Sequence, residues 1–263
     1  MKVVLLTSNS LRHKYIANCL SDALDLSLII TEEKATSITD TSKYDLVDKE
    51  FIDDHFKQRT ASEIDFFGTY SFPKHIALNE LPFKGINSPN TENLIKEANP
   101  DYLVLFGTSI ISESLLKEFP NRFINLHLGL SPYYKGSATN LFPYYYNEPE
   151  CIGATFHIAT PKVDAGAILN QMRPKIEVDD NLNSIGNKVI QAAGLMLPRI
   201  LEKLEKQEIK PVLQQGNGRI CRIKDLSPMM LRDIYNKFDE GLIADYLDQK
   251  NQRDIKKPII QNI

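Results

Sequence analysis

Short runs of apolar residues alternate with segments of helical periodicity through the first half of the chain. The apolar runs predict strands at 3–6, 26–30, 75–78, 102–106 and 123–127. Apolar positions spaced three and four residues apart predict helices at 11–20, 47–67, 87–98 and 112–119, with a polar loop over 31–43. Alternation of strand and helix is typical of α/β proteins, and it predicts a doubly wound, mostly parallel sheet.

The pattern changes after residue 150. Two longer strand-like stretches, 152–159 and 167–178, are followed by a long helix over 182–207. Glycines and an asparagine tolerate the positive φ of a tight turn, so Gly216-Asn217-Gly218 predicts a hairpin over 212–222. An amphipathic helix over 228–247 and a loose tail over 250–263 complete the chain. We expect a principal domain over 1–207 and a small C-terminal hairpin-plus-helix extension over 208–263.

Composition narrows the classes of protein that fit. The 263 residues include 31 Lys and Arg against 34 Asp and Glu, a net charge of −3, which argues against a dedicated nucleic-acid binder. Cys19, Cys151 and Cys221 are far apart and contain no Cys-x-x-Cys pair, so neither a disulfide framework nor a zinc site is expected. The opening apolar run is too short for a signal or membrane segment. We therefore expect a cytoplasmic protein without a metal or a membrane partner.

Three polar residues stand out in otherwise apolar surroundings. Asn125 and His127 are two residues apart on one predicted strand, so both side chains project from the same face. Asp164 falls in a turn between two predicted strands, a place where loops carry functional groups. Spacing alone leaves two readings open: a functional site, or a strand end whose polar groups are satisfied by neighbouring loops.

Four short motifs in fixed order decide between these readings. They are Asn125-x-His127, Pro132-x-x-Lys135-Gly136, Gly153-x-Thr155-x-His157 and Asp164-x-Gly166. Together they resemble the folate-dependent formyltransferase family. The resemblance implies a Rossmann-like sheet and N10-formyltetrahydrofolate as co-substrate, with no metal. It also implies that an amine attacks the formyl carbon, with Asn125, His127 and Asp164 as the catalytic residues.

The resemblance also assigns a folate site. It places the pterin against the residues after the fourth strand and the turn before Asp164, with contacts from Phe106, Ile110, Ile111, Thr160, Val163 and Asp164. By residue type alone, Ile110 and Ile111 are more typical of an ordinary core. His157 is expected to be structural, and His55 is expected on a solvated helix face.

The acceptor is assigned by likeness within the family. The first loop, the Tyr133–Ser137 turn and the Gly-Asn-Gly segment look most similar to formyltransferases that act on nucleotide-linked amino sugars. This implies a 4-amino-4,6-dideoxyhexose acceptor, with substrate contacts from Ser8, Asn9, Arg12, His13, Tyr133, Lys135 and Gly136. A phosphoribosylglycinamide formyltransferase, a formyl-folate hydrolase and a non-catalytic binding module remain as alternatives. A homodimer formed through the C-terminal hairpin and helix is a further expectation.

Overall fold

A seven-stranded sheet forms the centre of the protein in the computed structural model, which describes residues 1–35 and 40–263. Residues 36–39, part of the loop expected at 31–43, lie outside the described residues. The first half of the chain contains β1 (Lys2–Thr7), α1 (Leu11–Ala23), β2 (Asp25–Glu32), α2 (Leu46–Phe67), β3 (Ala77–Leu81), α3 (Pro89–Ala98), β4 (Tyr102–Leu105), α4 (Glu113–Glu118) and β5 (Phe123–His127).

The second half of the chain completes this sheet and adds a small second one. It contains β6 (Tyr134–Gly136), α5 (Phe142–Tyr145), β7 (Ala154–Ile158), β8 (Ile168–Met172), α6 (Leu182–Glu205), β9 (Arg219–Cys221), α7 (Pro228–Asp239) and α8 (Leu242–Lys256). The strand order is β3-β2-β1-β4-β5-β7-β8, in which the first four pairings are parallel and the pairings of β7 with β5 and β8 are antiparallel, so β7 alone runs opposite to the other strands of this sheet. The predicted doubly wound, mostly parallel sheet is confirmed.

Strand side chains alternate between two cores, one on each face of the sheet. Val3 and Leu5 of β1 belong to a large core that includes residues of α1 and α6. Val4 and Leu6 belong to a smaller core that includes residues of α3 and α4. Because successive strand side chains point to opposite faces, a strand covered on both sides must be apolar at every position. This explains the uninterrupted apolar runs in the sequence.

The second half of the chain differs from the expectation in several places. Residues 212–222 do not form a hairpin: Val212 bridges Ile168 of β8, whereas β9 pairs in parallel with β6. The predicted helix over 228–247 is two helices, α7 and α8, separated by Gly241 at a φ of 93° that a helix cannot accommodate. The strand expected over 167–178 ends at Met172.

The tail expected to be loose is helical as far as Lys256 and then pairs with β8. Ile260 accepts the backbone N–H of Gln171 at 2.7 Å, and its own N–H donates to the Gln171 side chain at 3.1 Å. The N–H of Asn262 donates to the side chain of Asn170 at 2.7 Å. Because β8 is an edge strand, its free backbone groups provide partners that the sequence pattern does not show.

The extension shares the large core with the rest of the chain. Its buried side chains in that core are Leu231, Ile234, Leu242, Ile243 and Tyr246. Among the described residues, no helix is both long and apolar enough to cross a membrane.

Candidate active site

The three polar residues singled out in the sequence meet at the carboxyl edge of the parallel strands. Asn125 lies beside Leu105 in the β4–β5 register and opposite His157 in the β5–β7 register. His127 is the last residue of β5 and is buried. Open α/β sheets bind ligands outside the carboxyl ends of their strands, so this edge is the expected place for a site.

The turn between β7 and β8 brings Asp164 to this edge. Asp164 has a φ of 44°, and its carbonyl oxygen accepts a hydrogen bond from Gln214 Nε2 at 2.8 Å. The same nitrogen donates to the Gly166 carbonyl at 2.8 Å. A β-carbon at Gly166 would lie 1.7 Å from the carbonyl oxygen of Ile158, so only glycine fits there. These contacts account for the Asp-x-Gly motif.

The carboxylate of Asp164 lies between both strand side chains. Asn125 Nδ2 donates to Asp164 Oδ1 at 3.2 Å, and His127 Nδ1 is 3.4 Å from Asp164 Oδ2. On its other side, His127 Nε2 is 3.1 Å from the carbonyl oxygen of Tyr134. The structure therefore brings together the three residues predicted to be catalytic.

Gly136 supplies a backbone donor to this cluster. Its N–H donates to Asp164 Oδ2 at 2.8 Å. Gly136 has a φ of 99°, and a β-carbon there would lie 2.1 Å from the carbonyl oxygen of Cys221 in β9. Glycine is thus required by the conformation and by the neighbouring strand. The parallel pairing of β6 with β9 explains why the Lys-Gly dipeptide is held against Asp164.

Burial and charge act in opposite directions on the two titratable groups. Burial would raise the pKa of the Asp164 carboxyl, but the charge of His127 and the hydrogen bonds from His157 and Gly136 lower that pKa to about 2. Asp164 is therefore ionised throughout the neutral range. Burial lowers the pKa of His127 below its ordinary value, and the Asp164 carboxylate partly offsets this effect.

His157 is a member of this cluster that sequence analysis treated as structural only. Its Nε2 is 3.0 Å from Asn125 Nδ2 and 3.4 Å from Asp164 Oδ1, while its Nδ1 is 3.0 Å from the carbonyl oxygen of Ile158. The side chain is 2% exposed. Alternation along the Gly-x-Thr-x-His strand indicates from the sequence that His157 lies on the same face as the threonine of the motif. It does not show that His157 lies opposite Asn125, because that follows from the register between β5 and β7.

The residues assigned to the folate site differ in their surroundings. Phe106 is buried and packs edge-on against the His13 ring at 5.0 Å. Ile111 is buried in the smaller core, whereas Ile110 is 68% exposed. Thr160 and Val163 are also exposed, on the turn that leads to Asp164. The exposed side chains are available to a ligand at this edge, and Ile111 acts as core.

The first-loop residues assigned to the acceptor lie between the end of β1 and the first turn of α1. Ser8 is buried, and Asn9 Nδ2 donates to Glu80 at 3.4 Å. The Arg12 guanidinium pairs with the Glu63 carboxylate of α2. His13 is buried and accepts the backbone N–H of Ser10 at its Nδ1, 3.1 Å away. This hydrogen bond caps the first turn of α1.

The remaining assigned residues belong to the loop that contains Gly136. The Tyr133 hydroxyl donates to the carbonyl oxygen of Pro258 at 2.8 Å, and Lys257 lies 5.3 Å from its ring centroid. Tyr133 thus anchors the C-terminal segment. Lys135 is partly exposed and lies opposite Ile220 of β9. Within 1–35 and 40–263, no group of three His, Cys, Asp or Glu side chains is arranged to hold a metal ion.

This fold and this polar cluster define an α/β protein of the Rossmann-like formyltransferase type. Residues 71–201 match the family model described as "Formyl transferase". It is 32% identical over 165 residues to the bifunctional polymyxin resistance protein ArnA of Wigglesworthia glossinidia brevipalpis. That match covers 61% of this chain but only 24% of the relative, so the chain spans about a quarter of its length.

Solved structures with this fold include enzymes for different acceptors. A sugar N-formyltransferase from a Shewanella species superposes with a TM-score of 0.58 at 18% identity, over 90% of this chain and 87% of that one. PseJ from Anoxybacillus kamchatkensis, in complex with UDP-4,6-dideoxy-4-formamido-L-AltNAc and tetrahydrofolate, has a TM-score of 0.54 at 16% identity, over 88% and 97%. Phosphoribosylglycinamide formyltransferase from Anaplasma phagocytophilum has a TM-score of 0.57 at 16% identity, over 84% and 98%. At 16–18% identity, these similarities establish a shared fold only.

Proposed function

We propose that the protein transfers the formyl group of N10-formyltetrahydrofolate to the amine of a nucleotide-linked 4-amino-4,6-dideoxy sugar. The observation that carries formyl transfer is the convergence of Asn125 and His127 on the Asp164 carboxylate at 3.2 Å and 3.4 Å. The choice of a sugar acceptor rests on the motifs and on the ArnA and sugar N-formyltransferase likenesses. Phosphoribosylglycinamide is the second candidate, because enzymes for that acceptor share the fold.

The donor set suits the charge that develops during formyl transfer. When an amine attacks the formyl carbon, negative charge builds up on the formyl oxygen. Asn125 carries an amide N–H and protonated His127 carries a second N–H, and both lie at the sheet edge where this oxygen would be placed. Oriented donors of this kind lower the barrier because they need no rearrangement as the charge forms.

Asp164 has two tasks in this proposal. Its carboxylate favours the protonated form of His127 by direct charge interaction. It also lies at the sheet edge where the attacking amine would be placed, and a carboxylate ionised at neutral pH can accept the proton that the amine loses. When the bond between the formyl carbon and N10 breaks, this proton passes to N10 of the departing tetrahydrofolate. The backbone N–H of Gly136 keeps this carboxylate oriented between the two strand side chains.

An acceptor screen tests the proposal. The purified protein is incubated with N10-formyltetrahydrofolate and, separately, a UDP- or dTDP-linked 4-amino sugar, glycinamide ribonucleotide or methionyl-tRNA, and tetrahydrofolate release and product mass are followed. A gain of one formyl group on the amino sugar, lost in His127→Ala, is the expected result. Formylation of glycinamide ribonucleotide alone would contradict the sugar assignment. Folate turnover without an amine would indicate a hydrolase, and no turnover with any acceptor would favour a non-catalytic module.

A further inference from the structure

Three cationic side chains from separate elements meet beside the first loop. Arg12 comes from the first turn of α1, Lys34 follows β2, and Arg59 lies on α2. The Lys34 amine donates to the Gly107 carbonyl just after β4, and a β-carbon at Gly107 would lie 3.2 Å from Lys34 Nζ. The Arg59 Nε is 3.5 Å from the Glu63 carboxylate that also binds Arg12.

Carboxylates around these cations do not balance their charge. Glu63 is shared by two arginines. Glu32 is the other nearby carboxylate, and its two oxygens accept backbone N–H groups of Ile86 at 3.2 Å and Ser109 at 2.8 Å. No acidic residue lies in the first turn of α1, whose N-terminus itself favours negative charge. The backbone N–H groups hold Glu32 in place without removing its charge, so three positive charges face two carboxylates, which leaves a surplus of about one positive charge.

The titration behaviour of the cations agrees with this surplus. Burial of its amine and the charge of Arg12 lower the pKa of Lys34 to about 8. Burial and the charge of Arg59 lower the pKa of Arg12 to about 10. Each cation thus disfavours the charged form of the next, and a bound anion would relieve this repulsion.

The distance between this cluster and the candidate catalytic residues suits one sugar ring and its glycosidic oxygen. Leu6, Leu105 and Asn125 are in register across β1, β4 and β5. Two strand spacings amount to about 10 Å, so the end of β1 is roughly that far from Asn125. One sugar ring with its glycosidic oxygen fits between an amine at the candidate catalytic site and a diphosphate at the end of β1.

We propose that Arg12, Lys34 and Arg59 form a subsite for the diphosphate of the acceptor, and that Glu63 holds Arg12 until the diphosphate displaces it. The negative charges of a nucleotide-sugar diphosphate would neutralise this surplus and would also interact favourably with the N-terminus of α1. The side chains of Lys34 and Arg59 are open to solvent, so the ligand enters from their side. This inference rests on the proposed function for its ligand, but its first test needs no turnover.

Binding of inorganic pyrophosphate, measured by calorimetry, tests the subsite directly. Lys34→Met and Arg59→Met should each weaken binding about tenfold, the typical effect of losing one charge-assisted contact. Glu63→Gln should strengthen binding severalfold, because it removes the competing carboxylate while keeping the shape of the side chain. Lys57→Met is the matched control: its side chain is on the same helix, 77% exposed and paired with Asp54, and the substitution should have no effect.

The outcomes separate this inference from the proposed function. If formylation of an amino sugar is observed, the same substitutions should raise or lower its KM in parallel with pyrophosphate affinity, with kcat nearly unchanged. Unchanged pyrophosphate binding in Lys34→Met and Arg59→Met would overturn the subsite even if the sugar is formylated.

Inorganic phosphate that binds as tightly as pyrophosphate would overturn the diphosphate assignment. Loss of pyrophosphate binding in these variants without any sugar formylation would support the anion subsite and refute the sugar acceptor. Melting temperatures of all variants check that each is folded, and the exposed Lys34 keeps the test valid if Glu63→Gln is unstable.

Discussion

Asp164 Oδ2 lies 3.4 Å from His127 Nδ1, while the other ring nitrogen of His127 lies 3.1 Å from the carbonyl oxygen of Tyr134. A neutral imidazole has one N–H and one lone pair, so it can donate to only one of these two oxygens. The protonated ring carries an N–H on each nitrogen, so Nε2 donates to Tyr134 while the Nδ1–H, which forms only an ion pair with Asp164, is the donor available to the formyl oxygen. The geometry therefore opposes the effect of burial on the His127 pKa and supports a charged donor at the candidate active site.

Replacing Asp164 by asparagine tests this relationship. Asp164→Asn keeps the size of the side chain but removes the charge that favours protonated His127 and that accepts the proton of the amine. We expect kcat to fall about 100- to 1000-fold, the usual cost of losing one oriented electrostatic group in such a site. Steady-state formylation kinetics measure the loss. Asp54→Asn, on an exposed helix face, is the control and should leave kcat unchanged.

His157 should act as a positioning residue through its contacts with Asn125 and Asp164. His157→Leu removes both contacts, and displacement of the partners should lower kcat by up to about 100-fold. The KM for the acceptor should change little, since His157 is buried and separated from solvent. His157→Gln keeps one polar group and should recover part of the lost kcat. An equal fall of melting temperature in both variants without a difference in kcat would show a structural role only.

Site residues that are close together in the sequence or belong to a motif could be predicted, whereas contacts between distant segments could not. Asn125 and His127 are two residues apart on one strand, and Asp164 belongs to a motif, so the family resemblance singled out three residues that the structure brings together. The contacts of His157 and the pairing of Arg12 with Glu63 were missed, because both join distant segments through packing. Local periodicity contains no information about such pairs.

The same reasoning explains the errors in the fold. The Gly216-Asn217-Gly218 segment has turn-forming residues, and they predicted a hairpin. Instead, Gly218 lies so close to the Pro132 carbonyl that a β-carbon would be 1.5 Å from that oxygen, and the following strand pairs with β6. Gly216 has the positive φ expected of a turn residue, but the partner of this segment is a loop 86 residues earlier in the chain.

Two glycine substitutions should have opposite effects. Gly136→Ala places a β-carbon 2.1 Å from the Cys221 carbonyl at a φ of 99°, so the backbone must shift and the N–H donated to Asp164 must move with it. We expect a loss of stability of more than about 1 kcal/mol together with a lower kcat.

Gly186→Ala is the contrasting substitution: Gly186 lies in α6, where a β-carbon meets nothing within 4 Å. It should stabilise the protein by about 0.5–1 kcal/mol, with kcat unchanged. Urea denaturation and kinetics on both variants provide the comparison, and a normal kcat in Gly136→Ala would contradict the assigned role of its N–H.

His55 gives a prediction for the pH dependence of stability. It is buried rather than on the solvated face expected from the sequence, and its Nδ1 lies 2.9 Å from the Tyr235 hydroxyl of α7. Burial, with a smaller contribution from the charge of Arg59, lowers the His55 pKa from 6.5 to about 4. Between these pH values the unfolded chain binds more protons at this residue than the folded protein does. The free energy of unfolding should therefore be highest above pH 6.5 and fall as the pH is lowered toward 4, with up to about 3 kcal/mol coming from His55.

Urea denaturation at several pH values measures this contribution, and His55→Gln isolates it. The glutamine keeps a polar partner for Tyr235 but does not titrate, so stability should fall less steeply between pH 6.5 and 4 than in the parent protein. A residual slope is expected, because burial also lowers the pKa values of His13 and His127. An identical slope in His55→Gln and the parent would mean that the contact between α2 and α7 does not depend on the protonation of His55.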